Sequence, residues 1–168
     1  MKRLFVMRHA KSSWGDANLA DFDRPLNERG LEAAPFMGRL MAGRKFTPDV
    51  ILSSPAKRAR QTAELVKESA GWNAEVRFND AIYEASPITL SRVVADLPND
   101  VSSVMVVGHN PGMEGFIRVL TGRIEAMSTA ALAVIDLAID EWSQIEAGTG
   151  RLVEVIRPKE LMKGAGEV

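Results

Sequence analysis

Short apolar runs alternating with amphipathic stretches set the rhythm of this chain. Leu4-Phe5-Val6-Met7, Val50-Ile51-Leu52 and Val104-Met105-Val106-Val107 carry no polar residue, are bounded by turn-forming or charged positions, and read as buried strands. Between them apolar residues recur at helical spacing. Asn27 is placed to cap a helix running to about residue 44, with Pro35 and Gly38 inside it predicting a kink. Ala59, Ala63, Val66 and Ala70 give one apolar face to a second helix, for which Ser54-Pro55 reads as cap and first turn. Leu90, Val93, Val94 and Leu97 mark a third helix, closed by Pro98. Met113, Phe116, Ile117 and Leu120 line a fourth, opened by a second cap and first-turn pair, Asn110-Pro111. Residues 74–78 read as an edge strand and 10–29 as a long polar loop. Residues 131–139 and 151–157 read as two strands, antiparallel to each other, and the tail from about Lys159 as irregular. Strands alternating with helices predict an α/β fold with a mostly parallel central sheet, in one domain spanning 1–168.

Composition narrows the functional classes. The chain has 168 residues, 46% hydrophobic and 26% charged, as a folded globular domain requires. A net charge of -1 supplies no basic excess for a nucleic-acid or membrane surface, so neither is expected as a partner. No cysteine is present, which removes disulfides, thiolate nucleophiles and cysteine-rich metal sites. The apolar run after Met1-Lys2-Arg3 is only Leu4 to Met7, too short for a secretory leader, and no stretch can span a bilayer. A cytoplasmic location is the expectation.

The candidate chemistry lies at strand ends. The two histidines, His9 and His109, each follow an apolar strand at its carboxyl end. In open α/β sheets ligands bind beyond those ends, so both imidazoles are expected at one edge. Arg8 adjoins the first histidine, and Arg58 sits early in the helix after the Val50-Ile51-Leu52 strand. Guanidinium forks match phosphate oxygens, and the helix starts near Ser54 and Asn110 add backbone N–H groups and positive dipole ends. A neutral imidazole attacks phosphorus if its other nitrogen donates to a carbonyl and fixes the tautomer. Lys57 and Arg60 compete with Arg58 on spacing alone, and Lys11, Ser12 and Ser13 read equally as pocket rim or polar loop. Trp14, Trp72 and Trp142 read as packing or rim residues. The histidines lie about a hundred positions apart with no His-x-x-x-His, so no metal or other cofactor is expected.

Val6-Met7-Arg8-His9-Ala10, Ser53-Ser54-Pro55-Ala56-Lys57-Arg58-Ala59-Arg60-Gln61-Thr62 and Val107-Gly108-His109-Asn110-Pro111-Gly112 resemble, in order and spacing, three motifs of the histidine phosphatase superfamily. Ala10 stands where that family usually has glycine. Arg24-Pro25-Leu26 and the short length are most similar to the SixA-type phosphohistidine phosphatases. The resemblance implies a three-layer α/β/α sandwich like that of phosphoglycerate mutases. It implies phosphoryl transfer through His9, with Arg8, Arg58 and His109 completing the phosphate pocket. Asn110 reads chiefly as a helix cap, with its backbone N–H a further candidate contact to phosphate. A carboxylate commonly protonates the leaving group in that family; Glu84 is the candidate here and Asp80 its rival. The implied substrate is a phosphohistidine-bearing protein. A small phosphorylated substrate, as for a phosphomonoesterase or sugar-phosphate mutase, is the alternative, and a non-catalytic phospho-dependent binding module a third reading.

Overall fold

The apolar runs form the middle of a six-stranded sheet. The structure, a computed structural model, describes residues 1–166. Its strands are β1 (Lys2–Arg8), β2 (Val50–Ser53), β3 (Glu75–Phe78), β4 (Ser103–Gly108), β5 (Leu132–Leu137) and β6 (Gly150–Ile156). They lie in the order β3-β2-β4-β1-β5-β6. The pairs β1·β4, β2·β4 and β2·β3 are parallel, whereas β5 runs antiparallel to both β1 and β6.

Strand pleating sends successive side chains to opposite faces, and here both faces are covered. Leu4, Val6, Val104 and Val106 pack with Leu90, Val94, Phe116 and Ile117 of α3 (Pro87–Ala95) and α4 (Gly112–Thr121). Phe5, Met7, Met105 and Val107 pack instead with Met37, Met41, Ala63 and Val66 of α1 (Glu28–Gly43) and α2 (Lys57–Ala70). The result is the expected three layers. Helix α1 meets α2 closely because Gly38 has no side chain; a Cβ there would come within 2.5 Å of the Val66 carbonyl oxygen. Among the described residues no helix is long and apolar enough to cross a membrane.

Three expectations need correction. Helix α2 begins at Lys57 with Ala56 at its cap, so Ser54-Pro55 does not open it. The Ser54 hydroxyl accepts from the Ala56 N–H and faces His109, which removes it from capping duty. Helix α4 likewise starts one step late, with Pro111 at the cap position. The tail from Lys159 is not irregular: α5 spans Pro158–Gly166, with proline at its first position. Other boundaries follow the pattern. Asn27 caps α1 by accepting from the Gly30 N–H at 2.9 Å, and the helix runs on through Pro35.

Candidate active site

Strand register brings the two histidines together. Arg8 and Gly108 are partners in the parallel β1·β4 pair, and each is followed by a histidine. The His9 N–H donates to the Gly108 carbonyl at 3.0 Å, and the two imidazole centroids lie 5.1 Å apart. Both side chains are buried. On the other flank of β4, the Ser54 N–H donates to the Val107 carbonyl at 3.0 Å. This carries the chain to the first turn of α2, where Arg58 is buried. The charges of Arg8 and Arg58 act on both imidazoles, so the four side chains share one electrostatic environment.

That environment keeps both rings neutral. Burial, opposed by the Ala10 bond and reinforced by His109, Arg58 and Arg8, pushes His9 down to about 3. Burial and then Arg58 push His109 down to about 4. His9 Nδ1 lies 2.7 Å from the Ala10 carbonyl. A carbonyl only accepts, so Nδ1 holds the proton and Nε2 keeps its lone pair. Arg8 donates from one terminal nitrogen to the Met127 carbonyl at 3.1 Å. Among the described residues four buried side-chain atoms lack any hydrogen-bond partner, and two of them, Arg8 Nε and His109 Nδ1, belong to this cluster. Such groups are unfavourable in a folded interior unless something else satisfies them. An oxyanion with several acceptor oxygens satisfies any such group that is a donor, as Arg8 Nε is.

A family model described as the histidine phosphatase superfamily (branch 1) matches residues 4–87, which contain His9, Arg58 and the helix between them. The chain belongs to the histidine phosphatase superfamily. Within it, an uncharacterized protein of Mycobacterium tuberculosis is 34% identical over 158 residues, covering 88% of this chain and 96% of that protein. The phosphohistidine phosphatase SixA of Escherichia coli is 29% identical over 146 residues, covering 83% and 86%. A solved structure of the protein histidine phosphatase SixA complexed with tungstate superposes with a TM-score of 0.82. It is 26% identical and covers 95% of this chain and 99% of that one.

The superfamily's second motif has a physical explanation in this chain. Its residues sit on one turn of α2. Thr62, fully buried, accepts from the Ala10 N–H at 2.9 Å and donates to the Arg58 carbonyl at 2.7 Å. Gln61 accepts from the Leu26 N–H at 2.8 Å and so holds the far end of the 10–29 loop. Gly30 lets that loop lie against α1; a Cβ there would come within 2.2 Å of the Lys11 carbonyl oxygen.

The loop delivers a residue that spacing did not reveal. Asp21 accepts from Arg58 at 2.9 Å, from Arg24 at 2.9 Å and from the Tyr83 hydroxyl at 2.7 Å. These bonds, Tyr83's foremost, hold its carboxylate at about 2. The Asp21 carbonyl also accepts from Arg58. Tyr83 stands edge-on to His109 with centroids 5.5 Å apart, and Phe22 stands edge-on to Tyr83 at 5.2 Å. Asp21, Tyr83 and Phe22 therefore form one connected flank beside Arg58 and His109.

Among the described residues the remaining candidates make no hydrogen bond to His9, His109, Arg8 or Arg58. Asn110 braces the scaffold: its amide donates to the Met127 carbonyl at 2.9 Å and to Glu114 at 3.1 Å. Its backbone N–H has no partner among the described residues. Glu84 is exposed, at φ 53°, and no hydrogen bond or ion pair joins it to the cluster among the described residues. Asp80 is also exposed. Ser12 is buried and donor to nothing in the cluster; it accepts from Arg24 and helps to fix the loop. Trp142 is core, donating to the Val101 carbonyl at 2.8 Å, whereas Trp14 is exposed beneath the Arg24 guanidinium.

Proposed function

We propose that the chain is a phosphohistidine phosphatase acting on a protein partner, with His9 Nε2 as the nucleophile. One observation carries the reading: a neutral imidazole, its Nδ1 proton held by the Ala10 carbonyl, stands beside two unsatisfied buried groups on Arg8 and His109. In the first step the Nε2 lone pair forms a bond to phosphorus while the substrate's P–N bond breaks. The electron pair of that bond leaves on the substrate imidazole, which takes up a proton from solvent. Arg8, Arg58, His109 and the Asn110 N–H bear the charge on the three equatorial oxygens. In the second step water attacks phospho-His9, inorganic phosphate leaves, and neutral His9 returns.

The named SixA relatives support phosphohistidine as the substrate class. The short interval from Thr62 to Leu97 supports a protein carrier: it holds only the rest of α2, the edge strand β3, a short turn and α3, with no inserted domain. An imidazole leaves more readily than an alkoxide, so a dedicated acid matters less, in keeping with the position of Glu84. For an ester substrate, Glu84 is the proton donor we would test first.

The test is a side-by-side assay, in EDTA, of a phosphohistidine protein and a panel of small phosphate esters. The protein is expected to be hydrolysed with the higher kcat/KM, His9→Ala to abolish turnover, and acid-labile phosphate to be trapped on His9. A preference for the esters overturns the substrate class, and label on a serine overturns the mechanism.

A further inference from the structure

Ser54 is invisible to the pattern argument except as a helix cap, which it is not. It is fully buried, and its hydroxyl lies 2.7 Å from His109 Nε2. The same oxygen accepts from the Ala56 N–H at 3.2 Å. No other polar atom among the described residues bonds it.

We infer that Ser54 is a positioning residue that sets the tautomer of His109, so that His109 presents a proton on Nδ1 to the phosphoryl oxygens. A buried hydroxyl must place its own proton somewhere. The Ala56 N–H is a donor and cannot take it, which leaves His109 Nε2 as the acceptor. If Nε2 carried the imidazole proton instead, the serine proton would be stranded in the interior, and the Nδ1 lone pair would be turned on an anionic guest. Both penalties vanish together when Ser54 donates to Nε2. The unpartnered Nδ1 then becomes a donor. It joins Arg8 Nε, the other unsatisfied atom of the cluster, and both are then free donors for an oxyanion. The two histidines of the site are thereby fixed in the same tautomer by different means: His9 by donating to a carbonyl, His109 by accepting from a hydroxyl. In both, the proton rests on Nδ1. The outcome differs because the working atom is Nε2 in His9 and Nδ1 in His109. One ring offers a lone pair and the other a hydrogen.

The catalytic half of this inference rests on the proposed function; the tautomer does not, and the experiment separates them. Histidine-selective ¹⁵N labelling gives two imidazoles, since the chain has only two. Long-range ¹H–¹⁵N spectra at neutral pH should show both protonated at Nδ1, the minority form of free histidine. His109→Asn assigns the signals. Ser54→Ala should switch His109 alone toward the Nε2-protonated form, and Ser54→Thr should restore the Nδ1 form by restoring a hydroxyl. Inorganic phosphate should shift the His109 Nδ1 signal in the wild type and less in Ser54→Ala. If the protein is a phosphatase, Ser54→Ala should lower kcat about three- to tenfold, the worth of one hydrogen bond, with Ser54→Thr recovering most of it. A wild-type His109 protonated at Nε2 overturns the inference whatever Ser54→Ala does. So does an Ser54→Ala protein whose His109 signals match the wild type. A correct tautomer in a protein that hydrolyses no phosphate compound refutes the function and leaves the role of Ser54 standing.

Discussion

Replacing Thr62 with valine tests how the pocket is anchored. The exchange keeps the branched shape and removes one hydroxyl from a fully buried position. The Arg58 carbonyl keeps its place in the helix ladder, but the Ala10 N–H loses the one partner it has at 2.9 Å, in a position that is itself inaccessible to water. An unpaired buried donor of this kind costs about 1–3 kcal/mol. For a chain of this size each kcal/mol moves Tm by roughly 2–4 °C, so a loss on the order of 2–12 °C is expected. Activity should suffer as well, because the carbonyl of the same residue holds His9 Nδ1. A loosened Ala10 lets the nucleophilic ring drift, and kcat should fall by about tenfold. Urea unfolding gives the stability, and exchange of the Ala10 amide locates the loss. Thr62→Ser, which keeps the hydroxyl, should leave that amide protected. A Thr62→Val protein as stable as the wild type, or one whose Ala10 amide exchanges no faster, refutes the anchoring argument.

Three further outcomes follow from the electrostatics. Neither histidine should take up a proton between pH 8 and 5 in ligand-free protein, and NMR titration with a midpoint near 6.5 for either would contradict the burial argument. Both folded values lie below the unfolded one, so the unfolded chain gains protons first as pH falls. Stability is then complete above about pH 6.5 and declines toward pH 3–4, by roughly 1.4 kcal/mol per pH unit for each histidine; urea midpoints in phosphate-free buffer should show no decline if the rings are open to water. Tyr83, the only tyrosine, donates to Asp21 and is pushed up to about 12, so ultraviolet titration should find it well above 10, and Asp21→Asn should return it toward 10.

The strands and the four-residue cluster were legible because each rests on a local signal. An unbroken apolar run marks a strand buried on both faces, and the residue after it marks the ligand edge. Parallel register does the rest, since Arg8 and Gly108 face each other without help from any side chain. Ser54 misled for a physical reason: serine before proline is a sound capping signal, and only the arrival of His109, 55 residues away, diverts the hydroxyl. Asp21 could not be picked out among the acidic residues of its loop. Asp16, Asp21 and Asp23 look alike in sequence, and what distinguishes Asp21 is a guanidinium 37 positions on and a phenol 62 positions on. The terminal helix was hidden by Gly164 and Gly166, which are poor helix formers; Pro158 at its first position was the available clue.

The second motif has one more implication, for how this chain could change in length. Arg58, Gln61 and Thr62 are spaced so that a guanidinium, the tether of a loop and the anchor of a strand end all leave the same turn in fixed relative directions. Adding or deleting one residue among them rotates everything downstream by roughly 100°, since a helix has 3.6 residues per turn. No side-chain exchange could compensate all three at once. Point changes at the exposed Arg60 leave the arrangement untouched, while a frame shift of a single position within this turn dismantles it.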